Sequence, residues 1–218
     1  EDLATAPKLR TNADGTNYWE YQGMIMPSVG LNAVVGRPLE EYGMEPSSFG
    51  QLRKGVYDVH ARIDDMNVNG IAASLNFGTC VGFDGGRFHK AADKSKARIH
   101  MRAYNDWHID EWCGAYPGRF IPCALLPTWD MNATVEEINR IAKKGCTTVS
   151  LNENPTVQGL PSIHNEYWEP LWKAIVDNNM TICLHIGAGN PVPHASTETP
   201  IEAWISAAPS KMLRMRAS

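Results

Sequence analysis

Four short strand-like runs, separated by stripes of apolar residues at helical spacing, constrain this chain more than anything else in it. The runs cover residues 71–77, 120–126, 147–151 and 180–186. Ahead of the first, Val56, Val59, Ile63 and Met66 recur at helical spacing, and Gly70 is placed to end that helix. A long helical segment is expected over 91–112. Val135, Ile138, Ile141 and Ala142 give the next helix its inner face, with Gly145 as its stop. Thr134 and Glu137 have capping-box spacing, in which each side chain meets the other's free amide. Trp168, Leu171, Trp172, Ile175 and Val176 stripe a further helix. Each run reads as continuously apolar, which predicts parallel strands covered on both faces. An open doubly wound sheet and part of a (β/α)8 barrel both fit.

The strand ends favour the barrel. Asn76 closes the first run, and Thr128, Trp129 and Asp130 follow the second. Asn152, Glu153 and Asn154 follow the third, and His185 sits in the fourth. Both architectures bind ligands at carboxyl ends of strands, but drawing on every strand in turn is the habit of a TIM barrel. The expected fold is therefore α/β, a (β/α)8 TIM barrel. The glycine-rich stretch 78–86 contains neither G-x-x-x-x-G-K-[ST] nor G-x-G-x-x-G, which weakens a phosphate-cradling reading. Residues 1–55, rich in Gly, Pro, Asn and Met, read as a loop-rich excursion packed on the barrel portion, 56–210, with a short hairpin at 18–25. Residues 211–218 form an atypical basic tail.

With 218 residues, 43% of them hydrophobic, the chain can bury a sizeable core. Its net charge is −4, and its densest basic stretch, 90–102, is interrupted by Asp93 and apolar residues. That balance argues against a nucleic-acid partner. No apolar run approaches the ~18 residues of a membrane span. The five cysteines are odd in number and widely spaced, with no C-x-x-C. They fit reduced thiols in a cytoplasmic protein better than a disulfide framework or a zinc knuckle. The chain starts at Glu1, and no signal-peptide pattern is visible.

By itself, a histidine ending an apolar run is either a core residue bonded to backbone or a metal ligand at a barrel rim. The wider sequence bears on the choice. Ala103-Tyr104-Asn105-Asp106-Trp107, Asp110-Glu111-Trp112-Cys113 and Tyr116-Pro117-Gly118-Arg119-Phe120-Ile121-Pro122 resemble the amidohydrolase-related family. That family comprises metal-dependent hydrolases and decarboxylases of the aminocarboxymuconate-semialdehyde decarboxylase type. Leu126-Pro127-x-Trp129-Asp130, Ser150-Leu151-Asn152-Glu153-Asn154-Pro155, Gly159-Leu160-Pro161-Ser162-x-His164 and Leu184-His185-Ile186-Gly187 continue the likeness in order, from about residue 56 to 205.

The resemblance implies a (β/α)8 barrel holding one divalent metal, zinc or manganese, and acting on a small cyclic or unsaturated carboxylate. A non-oxidative decarboxylase is slightly favoured over a hydrolase of a C–N, C–O or C–C bond. In that family an H-x-H ends the first strand, a histidine the fifth and an aspartate the eighth, and a histidine after the sixth does acid–base work. His185 matches the fifth-strand ligand, which makes the four runs strands two to five. No H-x-H occurs in the 218 residues, and nothing after residue 186 reads as strands six to eight. A barrel takes roughly 250 residues, so the chain is expected to be the middle of an enzyme. The reading from another class is an inactive fragment or pseudoenzyme, since catalytic metals take about three protein ligands.

On the same rim, His164, Asn152 and Trp129 are the expected substrate contacts. His164 otherwise caps the following helix, and Trp129 would wall a ring-shaped substrate. Glu153 would orient a ligating imidazole or is an exposed loop acid. Asp130 supports the turn into its helix. Bidentate arginine is the natural clamp for a carboxylate; Arg37, Arg62, Arg87 and Arg119 are the candidates, each otherwise a surface residue. His60, His100 and His108 lie on helix faces and are assigned no chemistry, and His194 is a loop residue. Open strand edges and apolar helix faces predict a homo-oligomer or an aggregation-prone chain.

Overall fold

The computed structural model describes residues 3–185 apart from 28, 31–32 and 42–45. It begins with an antiparallel meander of β1 (Lys8–Thr11), β2 (Asn17–Tyr21) and β3 (Met24–Met26). The expected hairpin is β2–β3. Its two central residues, Gln22 and Gly23, both have positive φ, 45° and 79°. Such a turn matches the twist of the strands it joins. The meander is anchored by Tyr21 and Met26, which bury against Phe88, Ala97, Met101 and Leu125.

Helix α1 (Val59–Val68) is capped by Asp58, whose side chain accepts from the Ala61 amide, and it buries Ile63 and Met66. Gly70, at φ 66°, ends it as expected. The chain then alternates. β4 (Ser74–Leu75) is followed by α2 (Gly86–Lys90) and α3 (Lys94–Asp106), and α3 runs directly into a π-helical turn at Trp107–Cys113. In a π-turn residues five apart stack. Trp107 meets Trp112 in this way at 5.8 Å, and His108 Nε2 lies 3.8 Å from Cys113 Sγ.

β5 (Phe120–Ile121) pairs in parallel with β4. Pro122, with no amide to donate, separates it from β6 (Cys123–Leu125). β6, β7 (Thr148–Leu151) and β8 (Thr181–Leu184) form a parallel sheet, with α4 (Met131–Lys143) and α5 (Glu169–Asp177) as crossovers. All four expected runs are thus parallel and in sequence order. The expected eight-strand barrel is not closed: the described residues supply four parallel strand positions, and the fold they establish is mixed α/β.

Two local expectations are corrected. Helix α4 is capped by Asp130, which accepts from the Ala133 amide, and not by a Thr134–Glu137 box. Thr134 sits inside the helix and donates to the carbonyls of Pro127 and Asp130. Glu137 turns inward to Asn105 and Arg140. Nor are the strands continuously apolar. Ala124, Leu126, Val149, Leu151 and Ile182 pack outward on Ile138 and Ile141 of α4 and Leu171 and Ile175 of α5. Of the alternate residues on the opposite face, Cys123, Thr148, Ser150 and Cys183 are small or polar, with Leu125 the apolar exception that packs with Phe88 and Met101, and the strand register brings them into step.

Where β4 ends, helix side chains take over as hydrogen-bond partners of β6. His108 Nε2 accepts from the Cys123 amide at 3.2 Å. Fully buried Asn105 accepts from Leu125 N–H at 2.8 Å and donates to Leu125 C=O at 2.9 Å. These bonds satisfy backbone groups that a neighbouring strand would otherwise meet. No helix among the described residues is long and apolar enough to cross a membrane, and all five cysteines are free thiols.

Candidate active site

The site is built where the polar face of the sheet reaches the carboxyl ends of its strands. Leu151 and Leu184 form the last paired rung of β7 and β8, so Asn152 and His185 follow side by side on the polar face. The loop 78–86 folds down onto this pair. Gly82 and Gly85, at φ 85° and 75°, make a path that other residues rarely take. A Cβ on Gly85 would also lie 3.1 Å from Met101 Cε.

The loop brings in two side chains. Asp84, 5% exposed, accepts at 2.9 Å from the Gly86 amide, at 2.8 Å from Asn152 Nδ2 and at 2.7 Å from Gln158 Nε2. Ser150 Oγ donates to the Phe83 carbonyl at 2.7 Å, which sets the Phe83 ring on His185. The two rings stack with centroids 3.8 Å apart and 27° between planes, and Phe77 meets the imidazole edge-on at 5.0 Å. His185 therefore lies at the carboxyl ends of the strands, on the face opposite the crossover helices, walled by two phenylalanines.

A second cluster sits at the end of β6. His89 Nε2 lies 3.1 Å from Thr128 Oγ1, and its ring meets Trp129 edge-on at 4.7 Å. Burial pushes the His89 imidazole down to about 4, outweighing the nearby Asp84 charge, so it is neutral at pH 7. Lys94 Nζ lies over the Trp129 ring, 5.2 Å from its centroid. Trp129 is thus already in contact with a histidine and a lysine.

Of the expected site residues, Asn152, Trp129 and His185 lie along these strand ends, and His164 is on an exposed loop and shares none of the contacts above. His194 lies outside the described residues. Arg119 is spent on the Ala72 and Ile71 carbonyls and on Asn67. Asp84, Phe83, His89 and Gln158 went unread in the sequence. The one local signal for Asp84 is its position between Gly82 and the Gly85–Gly86 pair. Replacing Asp84 by Ala leaves the buried Asn152 amide, the half-buried Gln158 amide and the Gly86 N–H without their shared acceptor. We expect this to lower stability by about 2–4 kcal/mol, read as an earlier urea midpoint; an unchanged midpoint would show that water replaces the carboxylate.

Among the described residues no three His, Cys, Asp or Glu side chains converge as a metal site. Among the described residues at the strand ends, His185 is the ligand the sequence points to, His89 is engaged with Thr128 and Trp129, and Asp84 already meets three donors. The described residues therefore do not by themselves fit a catalytic metal, which takes about three protein ligands.

A family model for amidohydrolases matches residues 77–213. The chain belongs to the amidohydrolase family. A comparison with curated proteins gave no match. Among solved structures, an amidohydrolase of Mycobacterium avium subsp. paratuberculosis K-10 superposes with TM-score 0.63 at 14% identity, covering 86% of this chain and 53% of its own. The 5-carboxyvanillate decarboxylase of Novosphingobium aromaticivorans DSM 12444, crystallised with manganese and 4-hydroxy-3-methoxy-5-nitrobenzoic acid, superposes with TM-score 0.50 at 26% identity. That match covers 60% of this amidohydrolase chain and 34% of the decarboxylase. The chain thus spans about half of the first structure and a third of the second.

Proposed function

We propose that this amidohydrolase chain is part of a non-oxidative decarboxylase of a small aromatic or unsaturated carboxylate, with β4 to β8 standing as strands two to five of a (β/α)8 barrel. The observation that carries the reading is His185, which ends the last parallel strand on the polar face and is held between Phe83 and Phe77. The decarboxylase neighbour, bound to manganese and a nitrobenzoic acid, supplies the substrate class by analogy. When bound, a divalent ion, manganese or zinc, polarises a carboxylate oxygen or lowers the pKa of bound water to about 7. His185 would give it one imidazole. Any further protein ligands would have to come from outside the described residues. Asn152, held by Asp84, and Trp129, held by His89, would present an amide and an indole to the substrate on the same rim, and His164 would contact it from its loop. A hydrolase is the second reading, since the same polarised site activates water.

The test supplies manganese to the protein expressed from its whole reading frame and measures carbon dioxide release from substituted hydroxybenzoic acids. We expect release, and a loss in His185→Ala of both bound manganese and rate by more than about 100-fold, because even outer-shell partners of a metal are worth about 10–100-fold. Water-dependent cleavage of esters or amides without carbon dioxide would transfer the assignment to a hydrolase. Stoichiometric manganese retained in His185→Ala would remove His185 from the metal.

A further inference from the structure

Beside the strand-end site, and separated from it by Phe77, lies a cavity of about 510 Å³ between α1, the end of β4 and the π-turn. Its walls include Tyr57, Phe77, Trp107 and Trp112, with the Asn76 amide held on the wall by Trp112 Nε1 at 3.4 Å. Among the described residues no Asp or Glu lines it. Its cation is Arg62, whose Nε is buried with no hydrogen-bond partner. Buried donors are nearly always satisfied, so an unmet guanidinium N–H on a cavity wall points to an absent acceptor.

The neighbouring charges explain why Arg62 is left over. The carboxylate one turn along α1, Asp65, is already gripped by the Arg53 fork, Nε to Oδ2 at 2.9 Å and Nη2 to Oδ1 at 2.5 Å. Gly55 permits that grip, since a Cβ there would lie 2.2 Å from Asp65 Oδ2. With Asp65 hydrogen-bonded to Arg53, Arg62 adds only a longer-range attraction to that carboxylate, and its own Nε stays unmet on a wall rich in aromatic rings.

We propose that this cavity binds a ring-bearing monocarboxylate, with Arg62 holding the carboxylate and the indole and phenyl walls holding the ring. One cation selects a single negative charge, no Asp or Glu among the described lining residues competes with a ligand for it, and the volume suits a molecule of one substituted ring. The proposal goes beyond the catalytic reading and needs neither metal nor turnover.

Because Trp107 and Trp112 line the cavity, indole fluorescence reports occupancy. The protein, stripped of metal with a chelator, is titrated with 4-hydroxybenzoate and with the neutral 4-hydroxybenzamide. The acid is expected to bind about tenfold or more tightly than the amide, the size of one charge-assisted hydrogen bond. Arg62→Met is expected to erase that preference while leaving amide binding unchanged, and Arg62→Lys to retain part of it, since ammonium keeps the charge and loses the fork. Equal affinity for acid and amide in the unaltered protein, or an acid preference that survives Arg62→Met, overturns the assignment. The comparison of the two ligands on the unaltered protein stands even where a variant does not fold. Acid binding in a protein that releases no carbon dioxide would leave this site intact and remove only the decarboxylase reading.

Discussion

Between pH 6.5 and 4 the protein is expected to lose several kcal/mol of stability, most of it through His108. That ring is 2% exposed, accepts the Cys123 amide through Nε2, and is held down to about 4 by burial. An unfolded histidine titrates near 6.5. Within this window the unfolded chain binds a proton that the folded protein refuses, so stability falls as pH falls and levels off below about 4. The shift corresponds to about 3 kcal/mol for His108, with a smaller share from the partly exposed His89. Carboxylates held low by ion pairs, such as Asp106 between Lys144 and Arg140, act in a different range. Their contribution is present above the unfolded value of 3.8 and is lost only below it. Urea unfolding at pH 7.0 and 4.5 measures the difference. His108→Gln, whose carbonyl oxygen can accept the Cys123 amide, should flatten the dependence; equal stability at both pH values in the unaltered protein would rule the account out.

The second large effect is expected at Asn105. Its side chain answers both backbone groups of Leu125 and also donates to Glu137 Oε1 at 2.8 Å, with no exposure to water. Leucine fills nearly the same space and answers neither backbone group. Each buried group left unmet costs about 1–3 kcal/mol, so Asn105→Leu should lower stability by about 3–5 kcal/mol and Tm by about 10 °C. Asn105→Asp should be no better, because it turns a carboxylate toward the Leu125 carbonyl and toward Glu137. Glu137 itself keeps the Arg140 fork in both variants. A Tm change below about 3 °C in a thermal melt would mean that another donor fills in.

The order of the elements was legible because each strand is short, apolar outward and closed by a polar residue, and each crossover helix carries its own stripe. The inner face was not. Thr148, Ser150 and Cys183 are small enough to pass as part of an apolar run, and only the register separates them from Val149 and Ile182. The start of α4 was misplaced because Asp130 and Thr134 are both capping residues one turn apart. Packing decides between them, burying Thr134 and turning Glu137 toward Asn105. At the site, residues belonging to the strand ends could be located, since strand order fixes where they lie. Asp84 and Phe83 could not, because their partners Asn152 and Ser150 lie 68 and 67 positions away in the chain.

The stacked Phe83 sets the terms on which any flat molecule could settle against His185. The seat is taken, so arrival is a swap of one aromatic face for another, and the two nearly cancel. Because Ser150 holds the Phe83 backbone carbonyl and not its ring, the ring can turn aside with that bond intact, and what remains to separate one visitor from the next is its substituents. Selectivity at such a seat would follow the decoration of the ring and be almost blind to the ring itself.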